Sequence, residues 1–168
     1  MKAAERQKKI IELLTASKTP ICGDAFSETF DVSRQIIVHD VSVLREQGYQ
    51  IIPTHRGYIL GDTPLFEKEI KMHHESGKTV DELLTIVGLG GSVIDVFVEH
   101  DIYGKLSAPL NIFSAADVNA FKNKAKKGGS AELMSLTSGY HYHTVRAETE
   151  EVMNEIEKAL DKKGYLVK

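Results

Sequence analysis

The sequence predicts an α+β protein in two parts: a winged helix-turn-helix over residues 1–61, then a small α/β sandwich over residues 65–168. Three observations carry this. Within the first 60 residues, three helix-like segments are followed by a β-hairpin pattern. Beyond them, strand-like alternation and helix-like periodicity take turns to the end of the chain. Between the two lies Gly61-Asp62-Thr63-Pro64, whose Gly and Pro punctuate a linker. A chain of 168 residues has room for one large or two small domains, and the roughly 105 residues after the linker suffice for the second.

In the N-terminal part, Ala3–Ala16 reads as an amphipathic helix with Ile10, Leu13 and Leu14 at helical spacing, stopped by Ser17-Lys18-Thr19-Pro20. A short helix covers Gly23–Thr29, with Ala25 and Phe26 expected inside. Asp31-Val32-Ser33 makes a tight connection, and Ser33 is placed to cap a third helix that runs to about Gln47 and ends at Gly48. Tyr49–Pro53 and Tyr58–Leu60 flank the turn Thr54-His55-Arg56-Gly57 as a hairpin.

At about 100° per residue, Ile37, Val41 and Leu44 share one stripe of the third helix while Gln35, His39 and Ser42 lie opposite. Gln reads adenine through both amide groups, and Ser and His donate to base edges or phosphates, so this outward face suits a DNA major groove. Arg34 at the helix start and Arg56 at the hairpin tip are placed for phosphate or minor-groove contact, with Ser33 beside them. A plain solvated helix face explains the polar stripe alone equally well; the turn, cap, glycine stop and Arg-Gly-Tyr hairpin together favour DNA.

In the second part, Leu65–His74 reads as a strand, Thr79–Val87 as a helix, and Ser92–Glu99 as a buried strand. Tyr103–Phe113 reads as a strand that Pro109 confines to an edge or a bulge. Ser114 caps a helix over Ala115–Lys126, and a Lys127-Gly128-Gly129-Ser130 loop follows. Tyr140–Ala147 is a strand, Glu148–Lys163 a charged amphipathic helix, and Tyr165–Val167 a short closing strand. The order βαββαβαβ places helices on one face of a sheet.

Composition removes several classes. Hydrophobic residues at 42% and charged residues at 27% are those of a folded globular chain. No apolar run reaches the ~18 residues of a membrane span, and the N-terminus lacks a signal-peptide pattern, so a cytoplasmic protein without membrane partners is expected. Cys22 is the only cysteine, which excludes an internal disulfide or a cysteine-rich zinc site, and any metal must be held by nitrogen and oxygen. Residues 1–60 carry 8 basic and 7 acidic side chains, and residues 61–168 carry 13 and 17. Bulk charge therefore says nothing of nucleic acid, and the DNA reading rests on where the basic groups sit.

The chemistry-bearing residues are histidines. Four of the seven fall in two sets, His73-His74 and His141-Tyr142-His143. Residues i and i+2 of a strand share a face, so His141 and His143 present two imidazoles side by side. His74 ends a predicted strand, and Glu82 follows eight residues later, early in a helix, where its carboxylate can complete a shell. Such a set suits one divalent transition ion, with Zn or Ni foremost and Fe, Co or Mn compatible. The plainer alternative is an exposed His-x-His pair with no ligand. His100 serves equally well as a hydrogen-bonded structural residue at a strand end.

Val32-Ser33-Arg34-Gln35, Leu44 through Tyr49 and Arg56-Gly57-Tyr58 resemble the helix-turn-helix of biotin-ligase repressors and of many small-molecule-responsive regulators. Biotin itself is disfavoured, because the ligase's glycine-rich loop is missing and the chain is too short. Glu82 through Val87, Val93 through His100, Tyr103-Gly104, Leu136 through Gly139 and His141 through Thr144 resemble the 3H domain. Together the two halves resemble the nicotinate-responsive repressors of NAD biosynthesis and niacin uptake genes, over nearly the whole chain. The resemblance implies an HPr-like second domain that binds a transition metal and mediates a homodimer, a double-stranded DNA operator as partner, and nicotinic acid as corepressor. Carried over by position, it implies metal ligands at His74, Glu82, His141 and His143; His73 replaces His74 if the strand register differs by one. Asp101, where relatives commonly have Pro, bears on the turn beside His100 and not on the ligands. His100 and Arg146 are candidates for effector contact, since each lies near the histidine strands or their ends. The competing classes are a metal-dependent hydrolase, for which no general base is evident once Glu82 is a ligand, and a regulator of another small pyridine or cofactor.

Overall fold

The computed structural model describes residues 1–61 and 65–168. Asp62, Thr63 and Pro64 of the expected linker lie outside the described residues. The chain divides into two compact units, Met1–Pro64 and Leu65–Lys168, each with its own core.

The first unit contains α1 (Ala3–Ala16), α2 (Gly23–Phe30), α3 (Arg34–Glu46) and a hairpin of β1 (Ile51–Thr54) with β2 (Gly57–Leu60). Ile10, Leu14, Phe26, Phe30, Ile37, Val41 and Leu44 fill its core. The buried stripe of α1 is Arg6, Ile10 and Leu14, not Leu13, which is 39% exposed. A strict i, i+4, i+8 spacing therefore wins over the adjacent apolar position. Ala25 is half-buried, and Phe30 takes the second inner position on α2 beside Phe26. Ser33 holds the N-cap position without a side-chain hydrogen bond, and Gly48 leaves α3 at φ +96°. The hairpin pins to Ile21, whose amide donates to the carbonyl of Tyr58 at 2.9 Å and whose carbonyl accepts the Tyr58 amide at 2.9 Å. A Cβ at Gly57 would lie 2.1 Å from the Ile21 carbonyl oxygen, so only glycine fits there.

The second unit runs β3 (Phe66–His73), α4 (Thr79–Gly88), β4 (Ser92–His100), β5 (Gly104–Ile112), α5 (Ala115–Gly128), β6 (Tyr140–Ala147) and α6 (Glu150–Lys162), with 3₁₀ turns at Ser76–Lys78 and Leu133–Thr137. The sheet order is β3-β6-β4-β5, wholly antiparallel. Pro109 sits on the edge strand β5, opposite Asp95, where the β4–β5 register shifts. Inward side chains Ile70, Met72, Val93, Ile112 and Val145 pack with Leu83, Ile86, Val118, Met153, Ile156 and Leu160 from the three helices.

Two helix boundaries move by two residues, and one expected strand does not form. Helix α5 continues through Lys127 to Gly128, because the left-handed turn falls at Gly129 (φ +60°). Helix α6 begins at Glu150, since the Thr149 side chain caps it by accepting the Val152 amide at 3.2 Å. The terminal segment makes one bridge, Met72 to Leu166, with the Val167 amide donating to Lys71, and does not form a strand. Among the described residues no helix is long and apolar enough to cross a membrane.

Candidate functional site

Strand pairing decides which histidines meet. The register Ile70↔His143, Met72↔His141 puts the even residues of β3 on the same face as the odd residues of β6. His74, one step past the end of β3, stays on that inner side. His73 pairs with Tyr140, packs on its ring at 4.2 Å and is exposed. The close approach of the two segments depends on Gly139, at φ +91°, where a Cβ would come within 2.6 Å of the His74 carbonyl oxygen.

Helix α4 brings Glu82 from its first turn onto this spot, fully buried. Its Oε2 contacts the Nε2 of His74 and lies 3.3 Å from that of His141, while its Oε1 is 3.2 Å from the Nε2 of His143. The ligating atoms of His74, Glu82 and His141 all lie within 4.8 Å of one another. All four side chains are buried.

Each ring is oriented from behind. Nδ1 of His74 meets the carbonyl of Glu75 at 2.8 Å, Nδ1 of His141 that of Gly139 at 3.0 Å, and Nδ1 of His143 that of Asp95 at 2.7 Å. A carbonyl only accepts, so each Nδ1 carries the proton and donates it, leaving Nε2 to face Glu82. Asp95 is itself fixed, its carboxylate accepting the Thr144 amide at 3.0 Å. Carbonyls placed this way fix the tautomer that leaves Nε2 free to act as a ligand.

Three inward lone pairs around a carboxylate repel one another unless a cation sits among them. Without a metal, protons take that role. Burial pushes the His74 and His143 imidazoles down, but the Glu82 carboxylate more than offsets this and both pKa values rise. Burial likewise pushes Glu82 up, yet His143, His141 and His74 hold it well below the usual carboxylate range. The pairing is incomplete: Oε1 of Glu82 and Nε2 of His143 form an ion pair at 3.2 Å but no well-aligned hydrogen bond with any of the described residues. Orphaned polar atoms this deep are costly, and one N/O-ligated cation satisfies them together. The residues fit a metal ion.

A cavity of about 620 Å³ opens beside the cluster, its wall including His141 and His143 together with parts of β5 and α5. That is ample for a small organic ligand. Among the described residues neither His100 nor Arg146 lines it. Nδ1 of His100 accepts the Ile102 and Tyr103 amides at 3.2 and 3.3 Å, holding the β4–β5 turn, and its ring packs on Tyr103. Arg146 lies on the opposite face of β6 from His141 and His143 and pairs with Glu67 at 2.5 Å.

In the first unit, Ser33, Arg34, Gln35, His39, Ser42 and Arg56 are all exposed. Arg34 pairs with Asp24 at 3.2 Å, both about two-thirds exposed, a contact weak enough for a phosphate to replace. Sequence reasoning missed Asp40, which is fully buried on the inner stripe of α3 and held by Arg6 at 2.5 Å and Gln7 at 2.8 Å. The available signal was its position three residues after Ile37. It also missed the carbonyls of Glu75, Gly139 and Asp95, which no side-chain pattern announces.

Residues 67–168 match the 3H domain family, and residues 6–59 match a helix-turn-helix domain. The chain is 38% identical over 164 residues to the probable transcription repressor NiaR of Thermotoga maritima, covering 97% of this chain and 94% of that protein. It is 34% identical over 170 residues to the transcription repressor NadR of Bacillus subtilis, covering 98% and 94%. These matches set aside the hydrolase alternative, since both relatives are named as repressors and neither as an enzyme. The chain belongs to the NiaR-type transcription repressors, and it is a DNA-binding regulator rather than an enzyme.

Proposed function

We propose that this protein is a cytoplasmic, homodimeric repressor of NAD biosynthesis and niacin uptake genes, with nicotinic acid as corepressor sensed by a metal-holding 3H domain. One observation carries the sensor reading: the ligating atoms of His74, Glu82 and His141 lie within 4.8 Å of one another, His143 Nε2 is 3.2 Å from the same carboxylate, and every Nδ1 is tied to a backbone carbonyl. His74, Glu82, His141 and His143 would hold one divalent ion, Zn or Ni foremost. Four protein ligands would fill a tetrahedral zinc shell, so an ion of higher coordination number such as Ni would be the one to accept a further lone pair, and nicotinate carries lone pairs on its ring nitrogen and its carboxylate. The carbonyls orient the rings, and the cavity beside His141 and His143 gives the ligand a place next to them. This reading puts effector contact on the cavity wall rather than on His100 and Arg146.

On the DNA side, Gln35, His39 and Ser42 would read base edges while Ser33, Arg34 and Arg56 hold phosphates. Two heads in a dimer read a two-fold operator, and linkage requires that an effector which tightens DNA is itself tightened by DNA.

Gel-shift titration of the upstream promoter with nicotinate, nicotinamide and NAD, before and after chelation, tests this. Nicotinate should tighten retardation, and chelation should abolish that response. Retardation indifferent to nicotinate refutes the sensor reading, and no retardation of any fragment refutes the repressor reading. Arg34→Ala should weaken operator binding about tenfold, and flatten its salt dependence by about one ion, while nicotinate affinity stays unchanged.

A further inference from the structure

The charged groups on the cavity wall are unequally engaged. Asp117 accepts the Phe113 amide and the Ser114 hydroxyl, both at 2.9 Å, at the start of α5, and Glu132 accepts the Thr79 hydroxyl at 2.6 Å. Lys124 on α5 also lines the cavity, is exposed, and has no ion-pair partner among the described residues. Three residues earlier, Phe121 lines the same wall, and positions i and i+3 are neighbours on a helix surface. A half-buried aromatic ring thus stands beside an unmatched ammonium. Leu110 and Met134 continue the apolar lining.

Such a wall suits a flat ring bearing an anionic group. The ring gains apolar contact, and the anion finds the Lys124 ammonium, which has no ion-pair partner among the described residues, in a charge-assisted hydrogen bond. The packing of α5 is consistent with an unfilled role: Val118 is its only buried residue, and every residue from Lys122 to Gly128 is exposed. The C-terminal half of α5 is thus held by few contacts of its own.

We propose that Lys124 is the residue by which this cavity reads charge, and that its ligand is a small aromatic carboxylate, bound with the carboxylate on Lys124 and the ring against Phe121. This deepens the effector reading above and rests on it.

Nicotinate and nicotinamide share a ring and differ in the charge of the substituent, so their affinity ratio isolates the role of Lys124. Calorimetric titration of the full chain should give at least about tenfold tighter binding of nicotinate. Lys124→Gln should lower nicotinate affinity about tenfold and leave nicotinamide affinity unchanged, collapsing the ratio, while Lys124→Arg keeps most of it. A ratio that Lys124→Gln leaves intact overturns this assignment and spares the effector reading. Equal wild-type affinity for the two compounds does the same. If the wild type binds neither, the effector reading itself falls.

Discussion

Each unit buries charge, and the two do so in opposite ways. In the N-terminal unit, Arg6 and Asp40 are one cation and one anion in contact, with Gln7 supplying a further hydrogen bond to the carboxylate. In the C-terminal unit, three imidazoles surround a single carboxylate, and two of the polar atoms have no hydrogen-bond partner among the described residues. The first cluster is complete within the chain and holds α1 to α3. The second leaves Glu82 Oε1 and His143 Nε2 without a hydrogen bond among the described residues. Buried charge alone therefore does not mark a ligand site; an unmatched donor set is what the proposed metal would explain.

The sharpest way to break that comparison is Glu82→Ala. It removes the only anion among three inward imidazoles and should destabilise the metal-free protein by roughly 3–5 kcal/mol while abolishing metal uptake. Urea unfolding and metal content after dialysis measure both. A variant that unfolds at the wild-type midpoint and retains one ion per chain would end the distinction between the clusters.

The N-terminal pair should behave differently under apolar replacement. Asp40→Ala alone strands the Arg6 guanidinium and should cost roughly 3–5 kcal/mol, but Arg6→Met with Asp40→Leu should recover most of that loss, because a self-contained ion pair is replaceable by packing. No apolar set should restore metal uptake in the other unit. If the Met/Leu double variant is as unstable as Asp40→Ala, the pair does more than hold helices together.

The same contrast explains what the sequence made legible. The stripe Ile37, Val41, Leu44 repeats with the helix and is readable at once; Asp40 fell outside it because its residue type predicts exposure, and Arg6 and Gln7, 34 and 33 positions away, make burial tolerable. His141 and His143 were readable as a pair because strand geometry is local. Their meeting with His74 depends on the register of β3 against β6, and the choice between His73 and His74 stayed open until that register was known. The cavity beside them was invisible, since β5, α5 and β6 contribute to it from separate stretches. The closing strand failed for a related reason: Leu166 has a partner in Met72, but the segment makes no continuous ladder.

Acidity sharpens the contrast further, because protons and a metal compete for the same Nε2 atoms. In metal-free protein, His74 and His143 have pKa values raised above 6.5, so their stabilisation is full below pH 6.5 and is lost as pH rises through the folded-state values. Glu82 is depressed below 4.5, so its stabilisation is present above pH 4.5 and is lost as pH falls through its lowered value. Metal-free stability should therefore have a maximum between pH 4.5 and 6.5 and decline above it. Neutral imidazoles are the ligands, so added zinc should raise Tm little at pH 5 and progressively more toward pH 8. Thermal melts with chelator and with zinc across that range decide the matter, and a metal-free Tm that climbs steadily to pH 8 would contradict the arrangement.

The smallest effect concerns the C-terminal residues that flank His74. Tyr165 is nearly buried, its ring 5.0 Å from that of His74, and its phenol donates to Asp81 at 2.8 Å while Lys163 donates to the same carboxylate at 2.7 and 2.9 Å. Burial and the Asp81 carboxylate push the phenol up to about 12, so it stays protonated and donating throughout the range in which the histidines titrate. Tyr165→Phe keeps the ring against His74 and removes only that hydrogen bond, while Lys163 continues to satisfy Asp81. The expected loss is about 1 kcal/mol with metal affinity unchanged. Tyr165→Ala also removes the ring, uncovers the side of the cluster that His74 forms, and should weaken metal retention against chelator. If Phe and Ala at this position release metal equally fast, the hydroxyl and not the ring guards that side, and the division between a self-contained hydrogen-bond network and an open ligand set would run through Tyr165 itself.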